Sequence, residues 1–288
     1  MTYPTPTLAV IGGSGLYNIP DLKDAQEIEI QTPFGDPSAP VILGTLDNHP
    51  VVFLARHGIG HTLSPTEVNY RANIFALKSL GVRRIISVSA CGSLRDDYAP
   101  GHLVVPNGLY DNTKGRKSTF FEDGLVAHIG VADPFCPALS EDIYQAVKAT
   151  GATVHKGGAF ITIEGPRFST RTESNTFRSW GMAIIGMTAS PEAYLAREAE
   201  ICYGVMAHVT DYDVWHVSEE PVTVDMVIAV LNQNTEIAQQ AIRNALIPQT
   251  DITDCDCEQA LSSALITSQD AIQAEARARL DLLVKKYL

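Results

Sequence analysis

The sequence predicts a single α/β domain spanning residues 1–288, and three observations carry that prediction. Apolar strand-like runs alternate with helix-like stretches from one end of the chain to the other. The run 201–209 is apolar and rich in β-branched residues with few breakers, the pattern of a strand buried on both faces of a sheet. No repeat, low-complexity stretch or linker divides the chain, whose 288 residues are within the reach of one α/β domain.

Taken in order, Leu8 to Ile11 reads as a short strand entering Gly12-Gly13-Ser14-Gly15-Leu16. That loop suits either an anion held by backbone N–H groups or a tight turn. It is neither a Walker A loop nor a dinucleotide fingerprint. Val41 to Leu43 and Val51 to Ala55 read as a strand pair, with residues 47–50 as the turn. The second strand runs into Arg56-His57-Gly58, with Gly60-His61 after it. An Arg there suits phosphate or carboxylate, or is a surface residue, and either histidine alone reads as a satisfied structural one. From Ser64 the residues SPTEVNYRANIFALKSLG predict a helix carrying Asn69, Tyr70 and Asn73, with Ser64 as N-cap and Gly81 as stop. Ile85 to Ser89 is a buried strand expected to end in a small turn, Ala90-Cys91-Gly92-Ser93-Leu94.

Gly101 to Pro106 reads as a strand and residues 111–124 as a polar loop. Helices are expected at 136–151, 172–180 and from the cap Ser190-Pro191-Glu192 to Glu200, with strands at 158–163 and 183–187. Residues 222–247 are helical by spacing. Ala271 to Tyr287 is amphipathic, a helix covering the core or meeting a neighbouring subunit, in a helical tail from about residue 250. The strand 201–209 ends in Thr210-Asp211-Tyr212-Asp213. Two carboxylates two residues apart share one side of an extended stretch, at the strand end where α/β sheets bind ligands. A turn or helix cap is the other reading of that tetrapeptide.

Composition narrows the function classes. A net charge of −12 disfavours an extended phosphate-backbone footprint, so no nucleic-acid partner is expected. No stretch approaches a membrane span and no signal segment opens the chain, so a cytoplasmic setting is expected. Five cysteines at irregular spacing fit reduced thiols. Cys255-Asp256-Cys257 could be a redox or cross-linking pair, but a lone C-x-C without further ligands nearby is weak ground for a metal, and none is expected.

Eight motifs then fall in one order: GGSGL at 12–16, TPFG at 32–35, ARHG at 55–58, NYRAN at 69–73, ACGSL at 90–94, EGPRFSTRTES at 164–174, GMTASPEA at 186–193 and TDYDVW at 210–215. Together they resemble the trimeric nucleoside phosphorylases over residues 8 to 249. The resemblance implies a mixed central β-sheet flanked by helices, a homotrimer, and phosphorolysis of methylthioadenosine to adenine and 5-methylthioribose 1-phosphate. It implies phosphate contacts from Ser14, Arg56, His57, Ser89, Ala90 and Thr188. It places Met187 under the ribose and Phe168 beside the base, and has Ser169 with Val224 help set specificity. Val227 and Ile228 would line an apolar 5′-methylthio pocket, His61 matches a pocket position, and His128 matches one that reaches the neighbouring subunit's site. Asp211 would face purine N7 as acid, with Asp213 on the 6-amino group or supporting Asp211. No cofactor is implied, and phosphate is a co-substrate. A 6-oxopurine phosphorylase would share the phosphate motifs but is better matched by Asn at the acid position. A nucleoside-binding protein without catalysis would have lost the phosphate and acid residues. The tail beyond Pro248 does not line up with the family.

Overall fold

The computed structural model describes residues 6–13, 16, 19, 21–216, 223–248 and 255–288, with backbone alone for 226, 227 and 229–233. Its centre is a parallel set of strands. Leu8–Gly12 (β1) pairs in parallel with His49–Ala55 (β4) on one side and Arg84–Ser93 (β5) on the other. β5 in turn pairs in parallel with Cys202–Asp211 (β11). Antiparallel strands extend the sheet: Lys23–Ile28 (β2) on Val41–Leu46 (β3), and β3 on β4. Farther along the chain, Leu103–Val105 (β6) pairs with β11 and with Val154–Lys156 (β8). Gly108–Asn112 (β7) pairs with Ala159–Ile163 (β9), which pairs with Met182–Gly186 (β10). β10 closes back antiparallel onto the last residues of β5. The outcome is the mixed α/β sheet the sequence implied.

Alternation along the central strands explains why the sheet is apolar on both faces. Ile11, Leu54 and Ile85 belong to one buried cluster, and their neighbours Val10, Phe53 and Ile86 to another. Successive side chains point to opposite faces, so both faces need cover. Tyr70–Ser79 (α1), Ala189–Glu198 (α4) and Ala274–Val284 (α6) bury Ile74, Leu195, Leu280 and Leu283 in the first cluster. Pro137–Lys148 (α2) and Val224–Asn244 (α5) bury Leu139, Ile143 and Ile242 in the second. Arg171–Ser179 (α3) packs on the turn after β11. No described helix is long and apolar enough to cross a membrane.

Several expectations are corrected. The β3–β4 turn is only Asp47-Asn48, both at positive φ, and Pro50 lies inside β4 opposite Thr45. Ser64 and Glu67 do form a capping pair, but the turn they start does not continue into α1. Asn69 caps α1 instead, accepting from Ala72 N while its amide donates to the Phe34 carbonyl. β5 does not end at Ala90; it stays extended to Ser93 because β11 pairs along it and β10 takes over beyond. Ile272 precedes α6, so the C-terminal helix is shorter than its apolar spacing suggested. β2 has no apolar alternation to announce it, and β7 reaches into the expected polar loop.

Candidate active site

Because β1, β4, β5 and β11 are parallel, their carboxyl ends meet on one edge of the sheet. β11 delivers Asp211 as its last residue, opposite Gly92 of β5. Tyr212 then turns the chain and Asp213, at φ +51°, opens a 3₁₀ turn. The two carboxylates therefore meet through a turn and not through strand alternation, a correction to the extended geometry read from the sequence. Asp is among the few non-glycine residues that tolerate that backbone region. The Asp213 amide donates to Asp211 Oδ1 at 2.7 Å, and the Thr210 hydroxyl lies 2.6 Å from Asp211 Oδ2. Trp215 fixes the turn by donating from Nε1 to the Ser93 carbonyl.

Gly92 makes this arrangement fit. A Cβ there would lie 2.9 Å from Asp211 Oδ1 and 3.2 Å from Asp213 Cβ, so it is a close-approach position within a strand and not a strand breaker. Both aspartates are 7% exposed, and burial is the leading cause that raises both carboxyls above their usual range. The Thr210 and Asp213 donors work against the shift at Asp211. At Asp213 the Ser174 hydroxyl works against it and the Asp211 charge adds to it. The Thr210 hydroxyl has one hydrogen and two acceptors in reach, Asp211 Oδ2 and, at 3.2 Å, the Cys91 carbonyl. With Asp211 protonated, its carboxyl can donate to Thr210 while Thr210 donates to Cys91, so the site accommodates a neutral acid. Asp213 Oδ2 is buried and makes no hydrogen bond of ordinary geometry among the described residues, and the nearby Ser174 hydroxyl is likewise unpaired. A buried acceptor of this kind can pair with a ligand N–H or a water.

Three residues back along β5, about 10 Å away, lies a second group. Ser89 Oγ is 3.0 Å from Thr188 Oγ1, as the antiparallel pairing of β10 on β5 requires when continued past Gly186. The Ala90 carbonyl lies against Gly186. Arg56 follows β4 and is 2% exposed. Its Nε and Nη2 form a fork on Glu192 of α4 at 2.9 and 3.0 Å. Nη2 also reaches Ser87 Oγ and the Ile11 carbonyl, and Nη1 donates to the Val88 carbonyl at 3.1 Å. These contacts use Nε, both Nη2 hydrogens and one of two on Nη1, so one Nη1 hydrogen remains. Tyr203 donates to Glu192 Oε1 and completes the pair.

His57 Nδ1 lies 3.0 Å from the Leu63 carbonyl, which can only accept, so the proton sits on Nδ1 and Nε2 is an acceptor in the neutral ring. Burial first, then the Arg56 charge, lowers His57 to about 4. His61 stacks on it at 4.4 Å and is itself exposed. Asn73 supports this loop by accepting from the Ser38 amide, and the Ser38 carbonyl sits against Gly58.

Met187 lies against Gly165, and the segment Phe168-Ser169 follows three residues on. Phe168 is 39% exposed, and Ser169 Oγ is buried without a partner among the described residues. One residue with no mark in the sequence ties this region together. Arg116 donates from Nη1 to the Met187 and Ser190 carbonyls at 2.7 Å and from Nη2 to the Glu164 carbonyl at 2.7 Å. It lies in the stretch read as a polar loop, and no pattern there marks it. From the sequence, Glu192 reads only as part of a helix cap.

Ser14 lies outside the described residues, as does the side chain of Val227. Val224 and Ile228 are exposed at the start of α5. His128 is exposed in a segment tied to the tail, its amide donating to the Ala264 carbonyl. Cys255 and Cys257 are not alone: Cys136 and Cys202 join them in space, away from this edge. That quartet is the metal-capable donor group among the described residues.

Comparison with known proteins places this geometry. The sequence matches the Phosphorylase superfamily over residues 7–247. It is 54% identical over 282 residues to S-methyl-5′-thioadenosine phosphorylase of Geobacter sulfurreducens, covering 98% of this chain and 99% of that one. The fold is similar to a crystal structure of methylthioadenosine phosphorylase from an antarctic soil metagenomic library, with TM-score 0.92 and 45% identity over 97% of this chain and 99% of that one. It is also similar to methylthioadenosine phosphorylase from Schistosoma mansoni in complex with adenine, with TM-score 0.85 and 36% identity over 92% and 99% of the two chains.

Proposed function

The chain belongs to the phosphorylase superfamily, and on that premise we propose that it splits S-methyl-5′-thioadenosine with inorganic phosphate, giving adenine and 5-methylthioribose 1-phosphate. The observation that carries this reading is the buried pair Asp211–Asp213, with raised carboxyls and one oxygen awaiting a partner, at the sheet edge that also holds Ser89 and Thr188. Its relatives' names and the adenine bound by one of them agree with it.

Phosphate binds at the Arg56 end, to Ser14, Arg56, His57, Ser89, Ala90 and Thr188. One of its oxygens attacks C1′ of the sugar as the C1′–N9 bond breaks. The electron pair of that bond goes to the purine, and a proton delivered at N7 makes adenine the better leaving group. Asp211 supplies that proton; an exposed aspartate, at about 3.9, would not hold one at neutral pH. Asp213 accepts from the 6-amino group through Oδ2. The ribose lies over Met187, between the phosphate at Ser89 and the base at Gly92, with Phe168 beside the base and Ser169 helping to set specificity. No cofactor enters this scheme.

The apolar side chains of Val224 and Ile228 are more than 45% exposed, which favours a partner covering them. A homotrimer supplies one, with Val227 and Ile228 lining the methylthio pocket, His61 at a pocket position, Val224 helping Ser169 to set specificity and His128 reaching a neighbour's site. The cytoplasm is the compartment of that reaction.

The test is adenine release from methylthioadenosine by the purified protein with and without phosphate. Adenine and the sugar phosphate should appear only when phosphate is present. Release without phosphate, or none at all, contradicts the proposal.

A further inference from the structure

The opposite end of β11 carries a group of side chains that the reaction does not use. Cys136 is the residue at which α2 begins, Cys202 opens β11, and Cys255 and Cys257 flank Asp256 at the start of a 3₁₀ turn in the tail. Their four Sγ atoms all lie within 4.8 Å of one another. Cys136 Sγ is 3.4 Å and Cys202 Sγ 3.5 Å from Cys255 Sγ. All four are free thiols, three of them buried. In a tetrahedral site with Zn–S of 2.3 Å, the sulfurs stand about 3.8 Å apart. Two of the separations, 3.4 and 3.5 Å, are a little shorter than that and none exceeds 4.8 Å, so the four sulfurs bracket such a tetrahedron.

The surroundings suit thiolates. The Cys257 amide donates to Cys255 Sγ at 3.3 Å, and Arg197 donates from Nη1 to Cys257 Sγ at 3.3 Å. Donors on sulfur favour the ionised form, which is the ligating one, and orient it. Arg84 stands opposite Cys202 in the β5–β11 register and is 2% exposed. Its Nη1 meets no hydrogen-bond partner among the described residues, with the Asp142 carboxylate 3.9 Å away. A buried cation with spare donor capacity complements the net negative charge of a zinc tetrathiolate.

We propose that Cys136, Cys202, Cys255 and Cys257 hold one structural Zn²⁺ that fastens the start of the tail to the junction of α2 and β11. Four protein sulfurs close the coordination sphere and leave no position for a substrate, so the metal is structural and not catalytic. Each thiol yields its proton to solvent as its Zn–S bond forms, and no electrons are transferred. The site lies about 30 Å from Asp211 along the ten residues of β11, so its effect on chemistry is indirect. It fixes the chain that continues to Leu261, whose amide donates to Glu200, and to Leu265, which pairs with Ala127.

The experiment uses the full chain purified without chelator and read by elemental analysis, thiol count and cobalt substitution. Roughly one zinc per chain is expected, released when an organomercurial titrates the thiols. Zinc-depleted protein given Co²⁺ should show the visible absorption of a tetrahedral tetrathiolate, a readout that needs no variant and no enzyme assay. Cys257→Ser should lose zinc and lower the thermal midpoint by about 5 °C or more, while Cys91→Ser keeps its metal. Metal-free protein that takes up neither Zn²⁺ nor Co²⁺ overturns the proposal. So does a denatured chain with a single reactive thiol, the signature of two disulfides. Either result leaves the phosphorolysis assay untouched.

Discussion

The two ends of the candidate active site solve opposite electrostatic problems. At the Arg56 end the charges are matched within the protein: the guanidinium is forked on Glu192, Tyr203 backs the carboxylate, and His57 is kept neutral. At the Asp211 end two acids share a buried turn, and one oxygen is left without a partner. The first end is finished before any ligand binds and has one guanidinium hydrogen to spare. The second is stable to the extent that it keeps protons, which is the condition for acting as an acid. A site can thus be rigid where an anion must be received and unsatisfied where a proton must be given.

The largest expected effect breaks the matched end. Glu192→Ala leaves Arg56 buried without its counter-ion and should cost about 3–5 kcal/mol, or ~10 °C in thermal midpoint. Scanning calorimetry checks this, and an unchanged midpoint would mean that Arg56 does not depend on the pair. Gly92→Ala attacks the other end. The new Cβ falls on Asp211 Oδ1, so a strain of about 1–3 kcal/mol is expected. Turnover of methylthioadenosine should drop while phosphate binding, followed by calorimetry, stays near wild type.

The smallest effect is also the sharpest, because the two ends respond to pH with opposite sign. His57 is lowered to about 4 by burial and Arg56, so its contribution to stability is present above its unfolded value of 6.5 and is lost as pH falls toward 4. The aspartate carboxyls are raised from 3.8, so theirs is present below that value and is lost as pH rises through the folded pKa of each. His57→Gln should flatten the acid side of the stability–pH curve and Asp213→Asn the alkaline side, each by at most about 1.4 kcal/mol per pH unit. Thermal midpoints measured across pH separate the two, and matching changes on one side would deny the contrast.

The Asp211 end was readable in the sequence because its parts are neighbours in the chain: Thr210, Asp211 and Asp213 lie within four residues, and the apolar run before them announces the strand. The matched end was half readable. Arg56 follows a clear strand, but its partner Glu192 is 136 positions away and looked like a helix cap. Gly92 looked like a turn because a lone sequence cannot distinguish a glycine that bends the chain from one that admits a carboxylate. Arg116 and β2 were hidden in polar stretches, where neither periodicity nor spacing carries a signal. The thiol quartet was invisible for the same reason as Glu192: Cys136 and Cys255 are 119 residues apart, and only the fold brings them together.

The central claim is that a buried acid at Asp211 protonates the departing purine, and the response of Asp211→Asn to two substrates tests it most directly. Replacing the acid by an amide should slow methylthioadenosine by ~10²-fold or more, with a much smaller loss on methylthioinosine, whose adjacent N7 and 6-oxo acceptors an amide facing N7 can serve as donor. Equal losses on both substrates, in a variant that still folds and binds phosphate, would contradict the account.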